Sequence, residues 1–315
     1  MFDGKRVAVT GGTGSFGHFI TQELLKSNAK EILIFSRDEE KQLDMKRDFS
    51  DSRLQLVIGD VRDYDRVAEC LRTDYVYHAA ALKVIPTCEE NPDEAYKTNV
   101  KGTINVKKAC AKNHVEKAIL ISTDKAVKPV NTYGMTKALA EKIWLGPEFG
   151  AKTVFSVIRY GNVIGSRGSI VPLFKRLIHE QEPLPITHPS MSRFWLTLRQ
   201  ARDLVFYATD KMCGGEIFIP KIPACLVIEL ARALSADNYP TKEVGIRPGE
   251  KIIETLISEE EIRRTEERES CFIIHPHGRH VGQVWTSEFT SASARQLSAS
   301  EIRSLLKDAD ETSAL

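Results

Sequence analysis

Six short apolar, β-branched runs separated by helical patterns constrain this chain more than any other feature. They fall at residues 6–10, 31–35, 54–58, 74–78, 117–122 and 153–158. Strands alternating with helices pair in parallel, because each crossover helix packs back onto the sheet. The predicted fold is therefore α/β, a Rossmann-like doubly wound parallel sheet. Ligands on such sheets bind beyond the carboxyl ends of the strands, so the residues that follow each run are where chemistry is expected. From residue 163 the pattern changes to Gly-, Pro- and Arg-rich loops with shorter helices, predicted at 169–180, 199–211 and 227–234. The dense mixed charges of 259–269 read as the solvated face of a helix.

Composition narrows the function classes. With 315 residues, 42% hydrophobic and 28% charged, the chain can bury one large core and a smaller lobe. Its 44 basic and 43 acidic side chains nearly cancel, so no overall field draws it to nucleic acid or anionic lipid, and a small-molecule partner is expected. The six cysteines lack C-x-x-C spacing and read as buried free thiols in a reducing compartment. Strand-like sequence already at Lys5 leaves no signal peptide, and no apolar run approaches the roughly 18 residues of a membrane span. The expectation is a soluble, cytoplasmic protein with no membrane partner.

The first strand runs directly into Gly11-Gly12-Thr13-Gly14-Ser15-Phe16-Gly17 and then a helix. Gly11 and Gly14 permit a tight turn and close approach to a pyrophosphate, which then faces the unpaired N–H groups of the helix N-terminus. The second strand ends in Ser36-Arg37-Asp38, with Lys41 one turn later. Ser36, Arg37 and Lys41 suit a ribose 2′-phosphate better than a 2′-hydroxyl, which favours NADP; Asp38 is the residue that argues the other way. Asp60, after the third strand, is placed either to cap an adenine amino group or to serve as an ordinary turn aspartate, which would look the same in sequence. These assignments make residues 1–162 an NADP-binding Rossmann domain and 163–315 a substrate-binding lobe interleaved with the main sheet.

Tyr133 and Lys137 lie four positions apart on a predicted helix and share one face. Lys137 can hold a nicotinamide ribose and favour the tyrosinate of Tyr133 by its charge. Thr123, at the end of the fifth strand, can bridge a sugar hydroxyl to that tyrosine. Asp124 and Lys125 follow it immediately. Thr123, Tyr133 and Lys137 behind the glycine loop resemble the extended short-chain dehydrogenase/reductase family. The stretches around His78-Ala-Ala-Ala-Leu-Lys83, Lys97-Thr-Asn99, Ser122-Thr-Asp-Lys-Ala126, Arg159-Tyr-Gly-Asn162, Ser192-Arg-Phe-Trp195, Gly215 to Lys221 and Ile246-Arg-Pro-Gly-Glu-Lys251 narrow the resemblance. Together they are similar to the soluble UDP-N-acetylglucosamine 4,6-dehydratases over roughly residues 3–275.

That resemblance implies a lyase in which Lys125 is the base at sugar C5 and Asp124 the acid for the departing C6 hydroxyl. It implies cofactor contacts from Thr13, Ser15, Phe16, Gly17, Val61, Ala80, Lys83 and Asn99 besides the tyrosine and lysine. For the substrate it implies Lys83, Asn162, Arg247 and Glu250, the arginine facing the diphosphate. It also implies a homo-oligomer, inversion at C5 and a product of the kind that feeds pseudaminic-acid synthesis. Chemically, oxidation at C4 acidifies C5–H, so a base and an acid become useful in succession. Lys125 is expected partly neutral, its pKa lowered by burial beside a cationic nicotinamide, and Asp124 protonated.

The alternatives are a UDP-N-acetylhexosamine 4-epimerase, which leaves Asp124 and Lys125 idle, and a non-catalytic NADP-sensing module on the same fold. Cys271, His275, His277 and His280 fit no usual zinc spacing, and no metal is expected. The last forty residues match the family loosely.

Overall fold

The computed structural model describes residues 1–313 except 149, 167, 236–238 and 279–284. Strands β1 (Arg6–Thr10), β2 (Glu31–Ser36), β3 (Leu54–Ile58), β4 (Tyr75–His78), β5 (Lys117–Thr123) and β6 (Val154–Tyr160) build the first half. Between them run helices α1 (Ser15–Leu25), α2 (Glu39–Asp48), α3 (Tyr64–Cys70), α4 (Ile85–Glu90), α5 (Pro92–Ala95), α6 (Gly102–Lys112) and α7 (Thr132–Leu145). A π-helical turn, Tyr96–Lys101, leads into α6.

The second half contributes β7 (Asn162–Val163), α8 (Ile170–His179), β8 (Leu184–Ile186), β9 (Ser192–Leu196), α9 (Leu198–Lys211), β10 (Ile217–Pro220), β11 (Ala224–Leu226) and α10 (Val227–Leu234). After these come β12 (Thr241–Glu243), β13 (Thr255–Ile257), β14 (Thr265–Glu267), β15 (Cys271–Ile274), β16 (Phe289–Thr290) and α11 (Ala299–Ser313).

The main sheet has nine strands in the order β14-β15-β10-β6-β5-β4-β1-β2-β3. From β10 to β3 every pairing is parallel, whereas β15 runs antiparallel to both β10 and β14. The central parallel strands are buried on both faces: Val7, Val9, Ile32, Ile34, Val76, Leu120, Val157 and Ile158 form the core with helix side chains such as Trp144. The strand order reverses between β1 and β4, which opens a crevice at their carboxyl ends. No described helix is long and apolar enough to cross a membrane.

Residues 259–269 and two of the cysteines differ from expectation. Residues 259–269 form a 3-10 turn at Ile262–Arg264 and then edge strand β14 rather than a solvated helix. The reason is tertiary: Glu261 is drawn inward by Arg159, and the chain beyond it pairs with β15. Cys213 is exposed and Cys70 half-buried, while Cys88, Cys110, Cys225 and Cys271 are buried; all six are free thiols. The loosely matched tail packs through β16 against β13, and Ser291 is fully buried there.

Candidate active site

The glycine loop lies at the switch point. Gly11 has φ +66°, and a Cβ on it would stand 2.7 Å from the backbone of Ala80, in the loop after β4. At Gly17 a Cβ would come within 2.3 Å of Gly12, so this glycine sets the close packing of α1 on the loop. Helix α1 begins at Ser15 with no side-chain cap and no acid in its first turn, which leaves its N-terminus suited to an anion. Thr13 hydrogen-bonds through its hydroxyl to the buried Ser36 hydroxyl at 2.8 Å, tying the loop to the end of β2.

Asp38 is the N-cap of α2: it accepts from Lys41 N at 3.0 Å and pairs with the Lys41 ammonium. Arg37 lies 3.6 Å from Asp60, which in turn is held by Arg62 at 2.7 Å. Asp60 is thus engaged by two arginines, which draw its pKa down against burial. Val61 is buried and packs beside Gly102. Asn99, in the π-helical turn, accepts from Leu82 N at 2.8 Å and donates to Leu82 O and Thr136 Oγ1. It braces the loop between Ala80 and Lys83 against α7, so its side-chain amide serves the loop. Lys83 is exposed, yet the neighbouring protein desolvates it enough to lower its pKa.

The chemistry-bearing group forms where β5 ends. Asn131 caps α7 by accepting from Gly134 N at 2.7 Å, and its amide donates to Gly249 O at 2.7 Å. This places Tyr133 and Lys137 in the first two turns, both buried, and ties α7 to the Arg247-Pro248-Gly249 loop. Lys137 Nζ donates to Ile121 O at 2.7 Å. Burial lowers its pKa to about 8, with Glu141 opposing. Burial also raises Tyr133 to about 12, although the Lys125 charge and the Thr123 hydroxyl pull it down. Lys125, to which the spacing did not point, is thus a cation that favours tyrosinate here.

Asp124 is fully buried. Its Oδ1 accepts from Thr123 Oγ1 and from Lys125 Nζ, each at 3.0 Å. Burial pushes the Asp124 carboxyl up, more than Lys125 pulls it down. Lys125 departs from expectation: burial disfavours its charge, but Asp124 and Glu254 outweigh that and hold its pKa above the ordinary lysine value. Glu254 Oε1 is 3.4 Å from Lys125 Nζ and 3.8 Å from Arg193 Nε, and Oε2 is 3.4 Å from Lys251 Nζ.

Glu254 was missed from sequence, though it carries a signal: an acid within the apolar run Ile252-Ile253-Glu254-Thr255-Leu256-Ile257 is a buried charge in waiting. Asn162 Oδ1 is buried without a hydrogen-bond partner among the described residues. Arg247 and Glu250 pair with each other at the surface end of their loop. A separate cavity of about 630 Å³, lined by residues such as Lys221, Trp285 and Arg295, shares no side chain with this group. His275 Nε2 meets Glu266 at 2.8 Å, and His280 lies outside the described residues.

The sheet order, the glycine loop at its switch point and the buried Thr123, Tyr133 and Lys137 define an extended short-chain dehydrogenase/reductase. Within that class the chain belongs to the polysaccharide biosynthesis protein family, whose profile matches residues 7–276. It is 47% identical over 289 residues to the UDP-N-acetylglucosamine 4,6-dehydratase (inverting) of Campylobacter jejuni subsp. jejuni serotype O:23/36 (strain 81-176), covering 90% of this chain and 86% of that one. A protein named UDP-glucose 4-epimerase from Rickettsia bellii (strain OSU 85-389) is 41% identical over 332 residues, 98% of this chain and 97% of its own. The solved structure of Pen from Bacillus thuringiensis superimposes with a TM-score of 0.94 at 35% identity, covering 98% of this chain and 99% of that one.

Proposed function

We propose that the protein is a UDP-N-acetylglucosamine 4,6-dehydratase that inverts C5 and yields a 4-keto-6-deoxy-L-arabino sugar nucleotide. One observation carries the choice over a 4-epimerase: Lys125 stands 3.0 Å from a buried Asp124 whose pKa is raised, beside Thr123 and Tyr133. An epimerase exchanges hydrogen at C4 alone and has no use for an acid and a base aimed further along the sugar.

A nicotinamide dinucleotide bound along the glycine loop supplies the hydride acceptor for C4 and later the hydride donor for C6. Its seat is the open N-terminus of α1, with Gly11 giving the close approach. We assign it as NADP, because Arg37 and Lys41 flank the end of β2 while Asp38 is bound into the first turn of α2. Tyr133 takes the C4 hydroxyl proton as the C4–H bond breaks, with Thr123 bridging the two oxygens and Lys137 orienting the ribose.

The resulting ketone acidifies C5–H. Passage of one proton from Lys125 to Asp124 then readies both groups at once, leaving a neutral amine and a protonated carboxyl. Burial lowers the cost of that transfer, while Asp124 and Glu254 keep the resting proton on Lys125. Lys125 removes the C5 proton, Asp124 protonates the C6 oxygen, and water leaves as the C5–C6 double bond forms. Hydride adds to C6 and a solvent-derived proton to the opposite face of C5, so one water is lost with no net oxidation.

Incubation with UDP-N-acetylglucosamine and mass spectrometry tests the reading: loss of one water is expected, and an unchanged mass with altered C4 configuration would establish the epimerase. In D2O the product should carry deuterium at C5 with L-arabino coupling constants; a D-xylo pattern in the initial product would remove the inversion. Denatured protein should release NADP, and release of NAD would overturn the assignment of Arg37 and Lys41.

A further inference from the structure

The proposed steps employ Asp124 and Lys125 but leave Glu254 without a task, although it is 2% exposed and within 3.4 Å of Lys125 Nζ. Its Oε2, and Asp124 Oδ2, are buried with no hydrogen-bond partner among the described residues. The backbone at this point cannot easily withdraw the carboxylate. Glu254 N donates to Ser291 Oγ at 3.0 Å, Ser291 N donates to Glu254 O at 2.8 Å, and Ser291 Oγ meets Ser192 Oγ at 2.7 Å. A buried carboxylate fixed in this way acts on its neighbours chiefly through its charge.

On the dehydratase reading, we infer that Glu254 is a positioning residue whose buried negative charge sets how many protons the Asp124–Lys125 pair carries. The pair works with one proton. A second proton would leave Lys125 charged and unable to act as base, and loss of the last would leave Asp124 without a proton to give. Such a pair titrates as a unit, with one limb for each change. Negative charge beside it favours proton uptake at both limbs, by attraction at Lys125 and repulsion at Asp124. The surrounding groups are Arg193 from β9, Lys251 from the segment before β13 and Tyr133 from α7. Burial disfavours the Glu254 charge, but Lys125, Arg193 and Lys251 together hold its pKa below the ordinary value, so the charge persists.

Water loss measured against pH tests this in Glu254→Gln and Lys251→Met, with the KM of the sugar nucleotide followed alongside. Glu254→Gln should move both limbs to lower pH together by roughly one unit or more, with KM within about twofold. Lys251→Met, which removes an opposing cation, should move both limbs upward and serves alone if the glutamine variant does not fold. Reduced kcat at unmoved limbs would reduce Glu254 to structural support and overturn the inference. A wild-type protein that releases no water would overturn the dehydratase reading and this inference with it, whereas intact water loss with unmoved limbs would overturn the inference alone.

Discussion

Two buried ionic groups meet at the carboxyl end of β5, and they are built to opposite rules. In one, Arg159 directs its guanidinium at Glu141, Glu261 and the Leu256 carbonyl, with every N–H employed at 2.6 to 3.2 Å. Ser122 and Ser258 supply further hydrogen bonds to the two glutamates. In the other, Asp124, Lys125, Glu254, Arg193 and Lys251 stand 3.0 to 3.8 Å apart, and Asp124 Oδ2 and Glu254 Oε2 lack a hydrogen-bond partner among the described residues. Saturated hydrogen bonding makes a charge cluster a brace between the sheet and the second half of the chain. On the dehydratase reading, the unsatisfied oxygens belong to the cluster that meets the substrate.

The largest effects should come from the unsatisfied group. Lys125→Ala and Asp124→Asn should each lower water loss by about 10³-fold or more, within the usual range for an acid or base catalyst. Melting temperature should hold or rise in Asp124→Asn, where Lys125 keeps Glu254 as a partner, and fall in Lys125→Ala, which leaves two buried carboxylates without their shared cation. A steep fall in thermal stability in Asp124→Asn would place that group with the braces and break the contrast.

Next in size, Glu141→Leu should cost about 3–5 kcal/mol, because it leaves Arg159 buried with half its partners. Chemical denaturation checks this, and a variant as stable as the wild type would show that Glu261 alone satisfies the arginine.

Lys137 lies one turn before Glu141 on α7 and donates to the Ile121 carbonyl of β5. Its folded pKa of about 8 lies below that of an unfolded lysine, so the unfolded state binds the extra proton between these values. The penalty for its charge is complete below pH 8 and disappears as pH rises toward 10.5. Relative to Lys137→Met, the wild type should therefore gain on the order of 3 kcal/mol between pH 7 and pH 10.5. Parallel stability curves for the two proteins would show that Lys137 is not desolvated.

The smallest effect belongs at the surface. Arg37 pairs with Asp60 while more than half exposed, and such a pair adds little to stability. Arg37→Ala should leave the melting temperature unchanged and lower the preference for NADP over NAD by about tenfold, as for one lost charge-assisted hydrogen bond. Unchanged cofactor preference would shift that role to Lys41.

The sequence by itself determined whatever depends on neighbours in the chain. The glycine loop, the six parallel strands and the one-turn spacing of Tyr133 and Lys137 are local patterns, because strand alternation, helix periodicity and a positive φ are set within a few residues. Thr123, Asp124 and Lys125 were legible for the same reason, being consecutive at a strand end. Tertiary structure alone decided which charges face one another. Glu254 reaches Lys125 because the segment before β13 folds over the end of β5, with Ser291 of the tail holding it there. Glu261 turned a charge-rich stretch into a partner of the buried Arg159 instead of a solvated helix. Even the protonation of Lys125 followed this rule: burial alone would drive its proton off, and two carboxylates, one adjacent in sequence and one brought in by the fold, keep it on. Electrostatic energy depends on distance through space and on burial, and neither is fixed until the chain has closed on itself.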